Sequence, residues 1–442
     1  MRKTILFAMA VVFCACNVQV THPDDKNNET HDWGEGNGVT RPVVLKLSSR
    51  QEQLLQQSNE FTLNLLQQVY ANEKKYENVI ISPLSASMAL SMLMNGADGN
   101  TLKQVKDALG FGDWSEEDIN EFNHLLLTAL PRLDTCTQTE LANSLWFQEG
   151  FPVKEGFTEL NKQYFMAQVE NVDFTNPATA DLINAWAANH THDLIKEVVD
   201  AETIYNCVAL LANALYFKGV WNDKFEKDST RNEDFTSSKN VKQVVDMMHK
   251  QGEMKYAFLK KQNAQLLELD YLGGAYCMDL LLPGKDDIPG LLKTIDAEEM
   301  TGWEETYWPE HKQVYNGDTS IWRSLNEVKL QMPKFTLRYK RELNEDLKML
   351  GMTDMFDGNA ANFSRMSDVP TYVSLVKQDT YMSVDEAGTE AAAVTVIAYE
   401  KAIAPENMPK MYLNRPFVLF IREKQYGTIL FAAVIGNPNE KK

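Results

Sequence analysis

Apolar residues follow a helical period after Gln51. Gln, Asn and Glu stand between them, so the apolar positions fall on one face of a helix and the polar positions on the other. The residues that mark the apolar face are Leu54, Leu55, Phe61, Leu65, Leu66 and Val69. Further along, residues 208–217 form a nearly continuous apolar run, which is typical of a buried strand. The pattern therefore predicts an amphipathic helix followed later by a buried strand.

Two apolar, β-rich runs lie near the end of the chain. Residues 417–421 and 428–435 are joined by the short polar stretch 422–427, a pattern typical of a β-hairpin. Helical and strand-like segments mix without an internal repeat, and no linker rich in Pro, Gly or Ser interrupts residues 45–442. We therefore expect a single α+β domain over residues 45–442.

Composition and charge exclude several classes of protein. The 442 residues are 44% hydrophobic and 24% charged, as in ordinary globular chains. With 43 basic and 62 acidic residues the net charge is -19, which argues against a nucleic-acid partner bound through a basic surface. The longest apolar run, residues 5–16, is shorter than the roughly 18 to 20 residues that a membrane-spanning helix needs.

Residues 1–16 have the layout of an export signal. Arg2 and Lys3 precede an apolar stretch, and Ala15 precedes Cys16. This resembles a bacterial lipoprotein signal, in which the cysteine is lipidated; the alternative is a plain signal peptide with incidental cysteines. The polar segment 17–44 is expected to be a flexible tether. We therefore expect an exported protein, held by Cys16 at the outer membrane and facing the periplasm or the cell surface, or else secreted.

Candidate catalytic and metal-binding patterns are sparse. The three cysteines of the body are scattered and odd in number, which favours neither a disulfide framework nor a metal site. His190 and His192 are spaced as two metal ligands can be, but a solvated pair near a helix end is the simpler interpretation. Neither a phosphate-binding loop nor a nucleophile elbow occurs. We therefore expect no enzymatic activity, no metal and no cofactor.

The most unusual segment of the sequence is VDEAGTEAAAVT at residues 384–395. Every second residue from Thr389 to Thr395 is Thr or Ala, so one face of an extended strand there would carry only small side chains. A short helix capped by Thr389 is the alternative, but the β-branched residues that follow favour a strand. A strand with such a face, preceded by Gly388, can enter between two strands that are already in contact.

Several spaced motifs resemble signatures of the serpin family. The first comprises NVIISPLS at 78–85 and GADGNT at 96–101; the second is NALYFKGVW at 213–221; the third comprises NRPF at 414–417 and GNP at 436–438. They occur in the family's order and extend over nearly all of the predicted domain. The resemblance implies a serpin fold of three β-sheets with eight or nine helices and an exposed reactive-centre loop at about 388–415.

The resemblance also implies a function. In serpins a target protease cleaves the reactive loop and forms an acyl-enzyme, and the cut loop then inserts into the main sheet and distorts the protease. The hinge of that loop is small here, as in inhibitory members: Gly388, Thr389, Glu390, Ala391, Ala392 and Ala393. We therefore expect a monomeric suicide inhibitor that forms a covalent complex with serine proteases, with cysteine proteases as a second target class. A non-inhibitory serpin acting as a binding module or chaperone is the alternative.

The same resemblance implies roles for two groups of residues. A polar cluster beneath the point where the sheet opens would comprise Ser82, Ser85, Asn213 and Gln378, although many family members have a histidine where Gln378 stands. The region where the loop first inserts would comprise Trp221, Lys334 and Glu386, with the last two as an ion pair. As isolated surface charges, that pair would contribute only about 0 to 1 kcal/mol.

The position of the scissile bond follows from the hinge. In serpins the scissile residue usually lies fourteen positions after the hinge glycine. The residue fourteen positions after Gly388 is Ala402, so the resemblance implies cleavage between Ala402 and Ile403. Counting back from the NRPF motif leads instead to Pro405, whose fixed φ and missing N–H make it a poor protease substrate. We therefore favour the first count.

The residue at the scissile bond indicates the class of target. Ala402 suits the small specificity pocket of an elastase-like protease or a broad subtilisin-like one. Cleavage after Lys401 would instead suit a trypsin-like pocket, and cleavage after Tyr399 would suit a chymotrypsin-like pocket. Cleavage at more than one of these bonds is compatible with insertion, because neighbouring sites leave a similar length of strand.

Overall fold

The computed structural model describes residues 43–315, 318–323, 325–389 and 408–440, with the backbone alone for residues 312–323. Its helices are α1 (Ser49–Asn72), α2 (Pro83–Met94), α3 (Gly99–Ala108), α4 (Glu116–Ala129), α5 (Glu155–Phe165), α6 (Ala178–His190), α7 (Ala201–Ile204), α8 (Ile288–Thr294), α9 (Ala297–Thr301), α10 (Trp303–Tyr307) and α11 (Asn344–Met349). Three short 3-10 helices occupy Leu130–Arg132, Lys227–Ser229 and Asp354–Phe356.

Seventeen strands complete the described elements. They are β1 (Val79–Ile81), β2 (Gln138–Gln148), β3 (Gln168–Val172), β4 (Ala209–Val220), β5 (Arg231–Thr236), β6 (Lys242–Leu259), β7 (Ala264–Asp270), β8 (Tyr276–Pro283), β9 (Glu310–Tyr315), β10 (Asp318–Arg323), β11 (Asn326–Pro333), β12 (Phe335–Glu342), β13 (Lys377–Val384), β14 (Gly388–Thr389), β15 (Lys410–Tyr412), β16 (Phe417–Glu423) and β17 (Ile429–Ile435).

The strands form two large sheets and one separate hairpin. A six-stranded sheet has the order β12-β13-β14-β4-β2-β3, and a nine-stranded sheet has the order β1-β17-β16-β8-β7-β6-β11-β15 with β5 also paired to β6. The 18-residue strand β6 joins two parts of the larger sheet, because its first half pairs with β5 and its last residues pair with β7. Strands β9 and β10 pair only with each other in the described part of the chain.

Two hydrophobic cores lie on opposite faces of the six-stranded sheet. The main core fills the space between the two large sheets and includes α2, whereas a smaller core lies under α6. Strand β2 serves both, since Phe147 belongs to the main core and Trp146 to the smaller one, as the alternation of side chains along a strand requires. No helix of the described ranges combines the length and the apolar composition that a bilayer span requires.

The predicted amphipathic helix and terminal hairpin are confirmed. Helix α1 buries all six predicted apolar residues, and Ser48 caps its first turn through reciprocal hydrogen bonds with Gln51. Strands β16 and β17 pair antiparallel, with Phe417 opposite Ile435. The α+β class is therefore as expected. The described strands form two large sheets and a two-stranded hairpin, against the three sheets that the resemblance implied, because β6 continues from one part of the nine-stranded sheet into the other.

The described ranges contain eleven α-helices, against the eight or nine that the resemblance implied. Much of the excess comes from residues 288–307, which form three short helices. Asp287 and Asp296 each cap a new first turn by accepting a backbone N–H bond, and Ile295 between them is extended. A new helix therefore begins after each of these two aspartates.

Strand β4 differs in one respect from the predicted buried strand. Its first five residues, Ala209–Asn213, are only half-buried, although they are mostly apolar. The reason is that one edge of this part of β4 borders a gap in the six-stranded sheet.

Candidate functional site

The first two residues of the predicted hinge form a strand inside the six-stranded sheet. Gly388 pairs with Val220 and Thr389 pairs with Gly219 on β4, and Thr389 also pairs with Val384 on β13. Strand β14 therefore occupies the top of the space between β4 and β13. The loop that follows starts from within the sheet.

Close approach of the backbones explains why glycine stands at two of these positions. A Cβ atom on Gly388 would overlap the carbonyl oxygen of Gly219 and lie 2.8 Å from the Cα of Val220. A Cβ atom on Gly219 would lie 2.5 Å from the ring of Tyr271. Substitution at either glycine would therefore force the strands apart.

Trp221 lies directly beside the hinge. It is 1% exposed, and its ring stacks on Tyr271 with centroids 4.7 Å apart and an interplanar angle of 11°. Its indole Nε1 donates to the carbonyl oxygen of Asp385 at 3.0 Å, and its backbone N–H donates to the carbonyl of Ala387. These contacts fix the turn that leads from β13 into β14.

The predicted ion pair is present at the same turn. Lys334 Nζ lies 2.9 Å from Glu386 Oε2, and the hydroxyl of Thr230 donates to Glu386 Oε1 at 2.8 Å. Burial alone would raise the pKa of the Glu386 carboxyl, but the hydrogen bonds from Lys334 and Thr230 outweigh it and hold that pKa below its ordinary value. The hydrogen bond to Glu386 raises the pKa of Lys334 in turn.

The polar cluster predicted beneath the sheet is divided. Gln378 Nε2 donates to the backbone carbonyl of Ser82 at 2.7 Å, and Gln378 Oε1 accepts from the backbone N–H of Ser82 at 3.0 Å. Ser85, one turn along α2, is buried and lines the adjoining cavity. The glutamine therefore fixes β13 to the start of α2 through both backbone polar groups of Ser82.

Asn213 lies on β4, on the other side of the gap, and its side chain forms a hydrogen bond with a different residue. Its Nδ2 donates to Asn143 Oδ1 at 2.7 Å, and Asn143 in turn donates to the carbonyl of Phe165. Within the described residues the Oδ1 atom of Asn213 has no hydrogen-bond partner, although that atom is buried and the residue as a whole is half-buried. The structure thus joins Gln378 to Ser82, and Asn213 to Asn143.

The gap itself separates β4 from β13 below the hinge. Over the described ranges no backbone pairing joins these two strands, which contact each other only through β14. A cavity of about 430 Å³ fills the space and is lined by both strands, by α2 and by the segment after α6. Thr380 Oγ1 on β13, like Asn213 Oδ1 on β4, has no partner in the part of the chain that is described. The facing edges of both strands are therefore available for another strand.

Several predicted functional residues lie outside the described residues. They are Cys16, Glu390, Ala391, Ala392, Ala393, Tyr399, Lys401, Ala402 and Ile403. The chain is described again from Met408, and β15 then runs parallel to β11, with Lys410 beside Lys329.

The two histidines considered as metal ligands have separate partners. His190 packs against Trp186 with ring centroids 4.9 Å apart, whereas His192 Nε2 lies 2.8 Å from Glu140 Oε1. These contacts favour the structural interpretation of the pair.

A buried group of Glu268, Cys277 and Asp279 has the residue types of a metal site. However, the guanidinium of Arg422 already binds both carboxylates, with Nη2 2.7 Å from Glu268 and Nε 2.5 Å from Asp279. All three charged side chains are at most 2% exposed. The arginine therefore provides the positive charge that these carboxylates need.

Sequence reasoning missed Tyr271 and Thr230, the two hydroxyl partners of the hinge region. Neither stands in a motif, and each lies more than a hundred residues from the residue that it contacts. Gly219 stands inside the second signature motif, but no sequence pattern indicates that it lies beside Gly388. Only the pairing of β14 with β4 brings these residues together.

Comparisons with known proteins agree with this geometry. The family model described as Serpin (serine protease inhibitor) matches residues 56–438. Neuroserpin of Gallus gallus is 32% identical over 398 residues, which cover 86% of this chain and 90% of the relative.

Two solved structures have a similar fold. The native state of the thermophilic serpin tengpin aligns with a TM-score of 0.75 and 29% identity, covering 90% of this chain and 97% of its own. Human thyroxine-binding globulin aligns with a TM-score of 0.75 over 89% of this chain and all of its own, but at 22% identity it shows the fold alone. The family supports protease inhibition in general and a role other than that of an enzyme. The chain belongs to the serpin family.

Proposed function

We propose that this serpin is a suicide inhibitor of serine proteases, with cysteine proteases as a second target class. A protease cleaves the reactive loop, remains attached as an acyl-enzyme, and is displaced when the cut loop inserts as a central strand. The single observation that supports this most directly is the gap between β4 and β13, whose top is already occupied by Gly388 and Thr389.

The free energy available from such an insertion is large. Strand β4 has 12 residues and β13 has eight, so an inserted strand could form about a dozen ladder bonds along their facing edges. At roughly 0.5 to 1.5 kcal/mol net for each bond, the gain is on the order of 10 kcal/mol. This is comparable to the stability of a whole domain. The uncut protein would therefore be held in its form by a kinetic barrier.

The proposed targets follow from the loop sequence. Ala402 before Ile403 favours elastase-like or subtilisin-like proteases first, and Lys401 favours trypsin-like proteases second. The small residues at the hinge favour inhibition over the non-inhibitory alternative, because Thr389 is 5% exposed and already lies within the sheet. A bulky hinge would be excluded from that position.

Incubation of the purified protein with pancreatic elastase, and separately with trypsin, tests the proposal. Denaturing gel electrophoresis and intact mass should show a covalent complex with elastase and a released fragment that begins at Ile403. A fragment that begins at Ala402 would move the scissile bond to Lys401. An Ala402→Arg variant is the matched control, since it should lose reaction with elastase and gain reaction with trypsin.

The non-inhibitory alternative predicts a different outcome. Both proteases would then cut the loop without being trapped, and the cut protein would melt at the same temperature as the intact one. A large rise in melting temperature after cleavage would instead indicate insertion, and would direct the search toward another protease.

We also propose that the protein is exported and anchored through a lipid on Cys16. The support is the sequence of the first sixteen residues. Labelling of expressing cells with an alkyne analogue of palmitate should mark the wild type and a Cys14→Ser variant, but not Cys16→Ser. Labelling of neither cysteine would favour a plain signal peptide and secretion.

A further inference from the structure

The cavity below β14 contains several buried polar atoms without a hydrogen-bond partner. In the part of the chain that the structure describes, four of the eleven such side-chain atoms belong to residues of its lining: Trp186 Nε1, Asn213 Oδ1, Thr371 Oγ1 and Thr380 Oγ1. Trp186 is 7% exposed and Thr380 is 3% exposed. Buried polar groups of folded proteins are almost always hydrogen-bonded, because an unpaired one destabilises the fold. The cavity therefore offers bonding positions that a bound molecule can fill.

Two of these atoms lie at nearly the same height on the two sides of the gap. Thr389 pairs with Gly219 on β4 and with Val384 on β13, so these two residues mark equal heights. Asn213 stands six residues before Gly219, and Thr380 stands four residues before Val384. Their heights therefore differ by two positions, or about 7 Å of strand.

Both side chains point to the face of the sheet that carries α2. Leu211 and Leu215 stand two positions on either side of Asn213 and pack against the main core. Met382, two positions after Thr380, belongs to the same core. Residues two positions apart on a strand share a face. The amide oxygen of Asn213 and the hydroxyl of Thr380 therefore border the same side of the gap.

The charge and the size of the cavity restrict what it can hold. Among the described lining residues only Lys377 and Asp379 are charged. Lys377 is exposed and donates from Nζ to the carbonyl oxygen of Val198 at 3.0 Å, and Asp379 is paired with Arg338 at 2.7 Å. A charged ligand would lose its hydration without gaining an opposite charge. The volume of about 430 Å³ is about three times that of a cavity that holds one benzene molecule. The space therefore suits an uncharged molecule of two or three rings.

An apolar rim borders the cavity at the end away from the hinge. Strands β4 and β13 each pair antiparallel with β14, so they run parallel to each other and both begin at that end. The lining residues that precede the two strands include Val208, Val369 and Tyr372, which are 38%, 43% and 56% exposed. Exposed apolar side chains grouped at the rim of a cavity are typical of a ligand-binding groove. A small molecule can therefore enter there without passing the hinge.

We propose that this cavity binds one small uncharged molecule of two or three rings, whose hydroxyl group forms hydrogen bonds with Asn213 Oδ1 and Thr380 Oγ1. A hydroxyl group suits both atoms, because it can donate to the amide oxygen and accept from the threonine. The bound molecule occupies space that an inserted strand needs, so the ligand and the inserted loop exclude each other. That exclusion rests on the proposed inhibitory function, whereas binding to the intact protein does not.

Isothermal titration calorimetry of the intact protein with 2-naphthol tests the proposal. This probe has two rings and a hydroxyl group that is neutral at pH 7. Naphthalene-2-sulfonate is the matched control ligand, because it has the same rings and a negative charge. We expect one 2-naphthol to bind per chain and the sulfonate to bind at least about tenfold more weakly. Equal affinities would refute a site that selects an uncharged ligand.

Three variants locate the site. Thr380→Val keeps the shape of the side chain and removes its hydroxyl, whereas Ala86→Phe places a ring in the cavity from α2. The matched control is Thr128→Val, whose hydroxyl bonds within α4. We expect 2-naphthol to bind several-fold more weakly to Thr380→Val and at least about tenfold more weakly to Ala86→Phe, with no change in Thr128→Val. If Ala86→Phe does not fold, Thr380→Val decides alone. Wild-type affinity in Thr380→Val would refute the site.

Titration of the elastase-cut protein separates this inference from the inhibitory function. If the cut loop fills the gap, the cut protein should no longer bind 2-naphthol. Failure of the intact wild type to bind refutes the inference, whether or not a covalent complex forms with the protease. Equal binding to intact and cut protein without a covalent complex would support the ligand site and contradict the inhibitory function. Equal binding alongside a covalent complex would refute the site, because the inserted strand would then leave it unchanged.

Discussion

The phenol oxygen of Tyr271 lies 2.6 Å from the hydroxyl oxygen of Thr389, although 118 residues separate them in the sequence. Tyr271 is 0% exposed and Thr389 is 5% exposed. Burial raises the pKa of the Tyr271 phenol well above its ordinary value, so the group stays a neutral hydrogen-bond partner. The end of β7 is thereby tied to the last described residue of the hinge.

Removing this hydrogen bond should destabilise the protein, and the effects of removing each of its two partners should not add. Tyr271→Phe leaves the Thr389 hydroxyl buried without its partner, which we expect to lower the free energy of unfolding by about 1 to 3 kcal/mol. Thr389→Val should have a similar effect, and the double variant should lose little more than either single one. Urea unfolding followed by tryptophan fluorescence measures all three. Strictly additive losses would mean that the two groups do not interact.

A large side chain at the hinge should convert the inhibitor into a substrate. Thr389→Arg places a long cation where β14 lies between two strands and where the native side chain is buried. We expect elastase to cut the loop at the normal rate without forming a covalent complex, and the cut protein to gain no thermal stability. Thr389→Ser keeps the hydroxyl and serves as the control that should still trap. Continued trapping by Thr389→Arg would show that this position need not enter the sheet.

The amide of Gln378 should stabilise the native sheet. Gln378→Ala removes two hydrogen bonds to the backbone of Ser82, and we expect a loss of about 1 to 3 kcal/mol in the free energy of unfolding. Thr380→Val is the matched control on the same strand, because its Oγ1 lacks a hydrogen-bond partner among the described residues. Urea unfolding compares the two variants. Equal losses would refute a role for the glutamine amide.

The Glu386–Lys334 pair predicts a dependence of stability on pH. The pKa of Glu386 in the folded protein lies below its ordinary value near 4.5. Its stabilising contribution is therefore complete above that value and is lost as the pH falls through the lower, folded-state pKa. Because Lys334 is 42% exposed, we expect Glu386→Gln to cost only about 1 kcal/mol at pH 7.

Unfolding measured at pH 7 and again well below pH 4.5 checks this prediction. The wild type and Glu386→Gln should differ at the higher pH and converge at the lower one. Glu345→Gln, which breaks an exposed pair with Lys348, is the control and should have little effect at either pH. A constant difference between the wild type and Glu386→Gln would show that the carboxylate charge is not the cause.

Much of the local structure follows from sequence pattern. The period of apolar residues after Gln51 predicts α1, and the two apolar runs near the end of the chain predict β16 and β17, because these patterns reflect contacts of each element with one buried face. The spaced motifs identify the family and the hinge. They also place Trp221, Lys334 and Glu386 at the site where the structure brings them together.

The remaining features depend on contacts between distant parts of the chain. The spacing of apolar residues along the chain cannot indicate that β4 and β13 stay unpaired below β14, because strand pairing is decided by the packing of the whole sheet. It likewise cannot give the partner of Gln378, which is Ser82 at the start of α2, 296 residues earlier. The parallel register of β11 against β15 is of the same kind. The sequence by itself determined the elements, the family and the small hinge; the tertiary structure decided the gap, its polar contacts and the neighbours of the loop, because these arise only when distant strands meet.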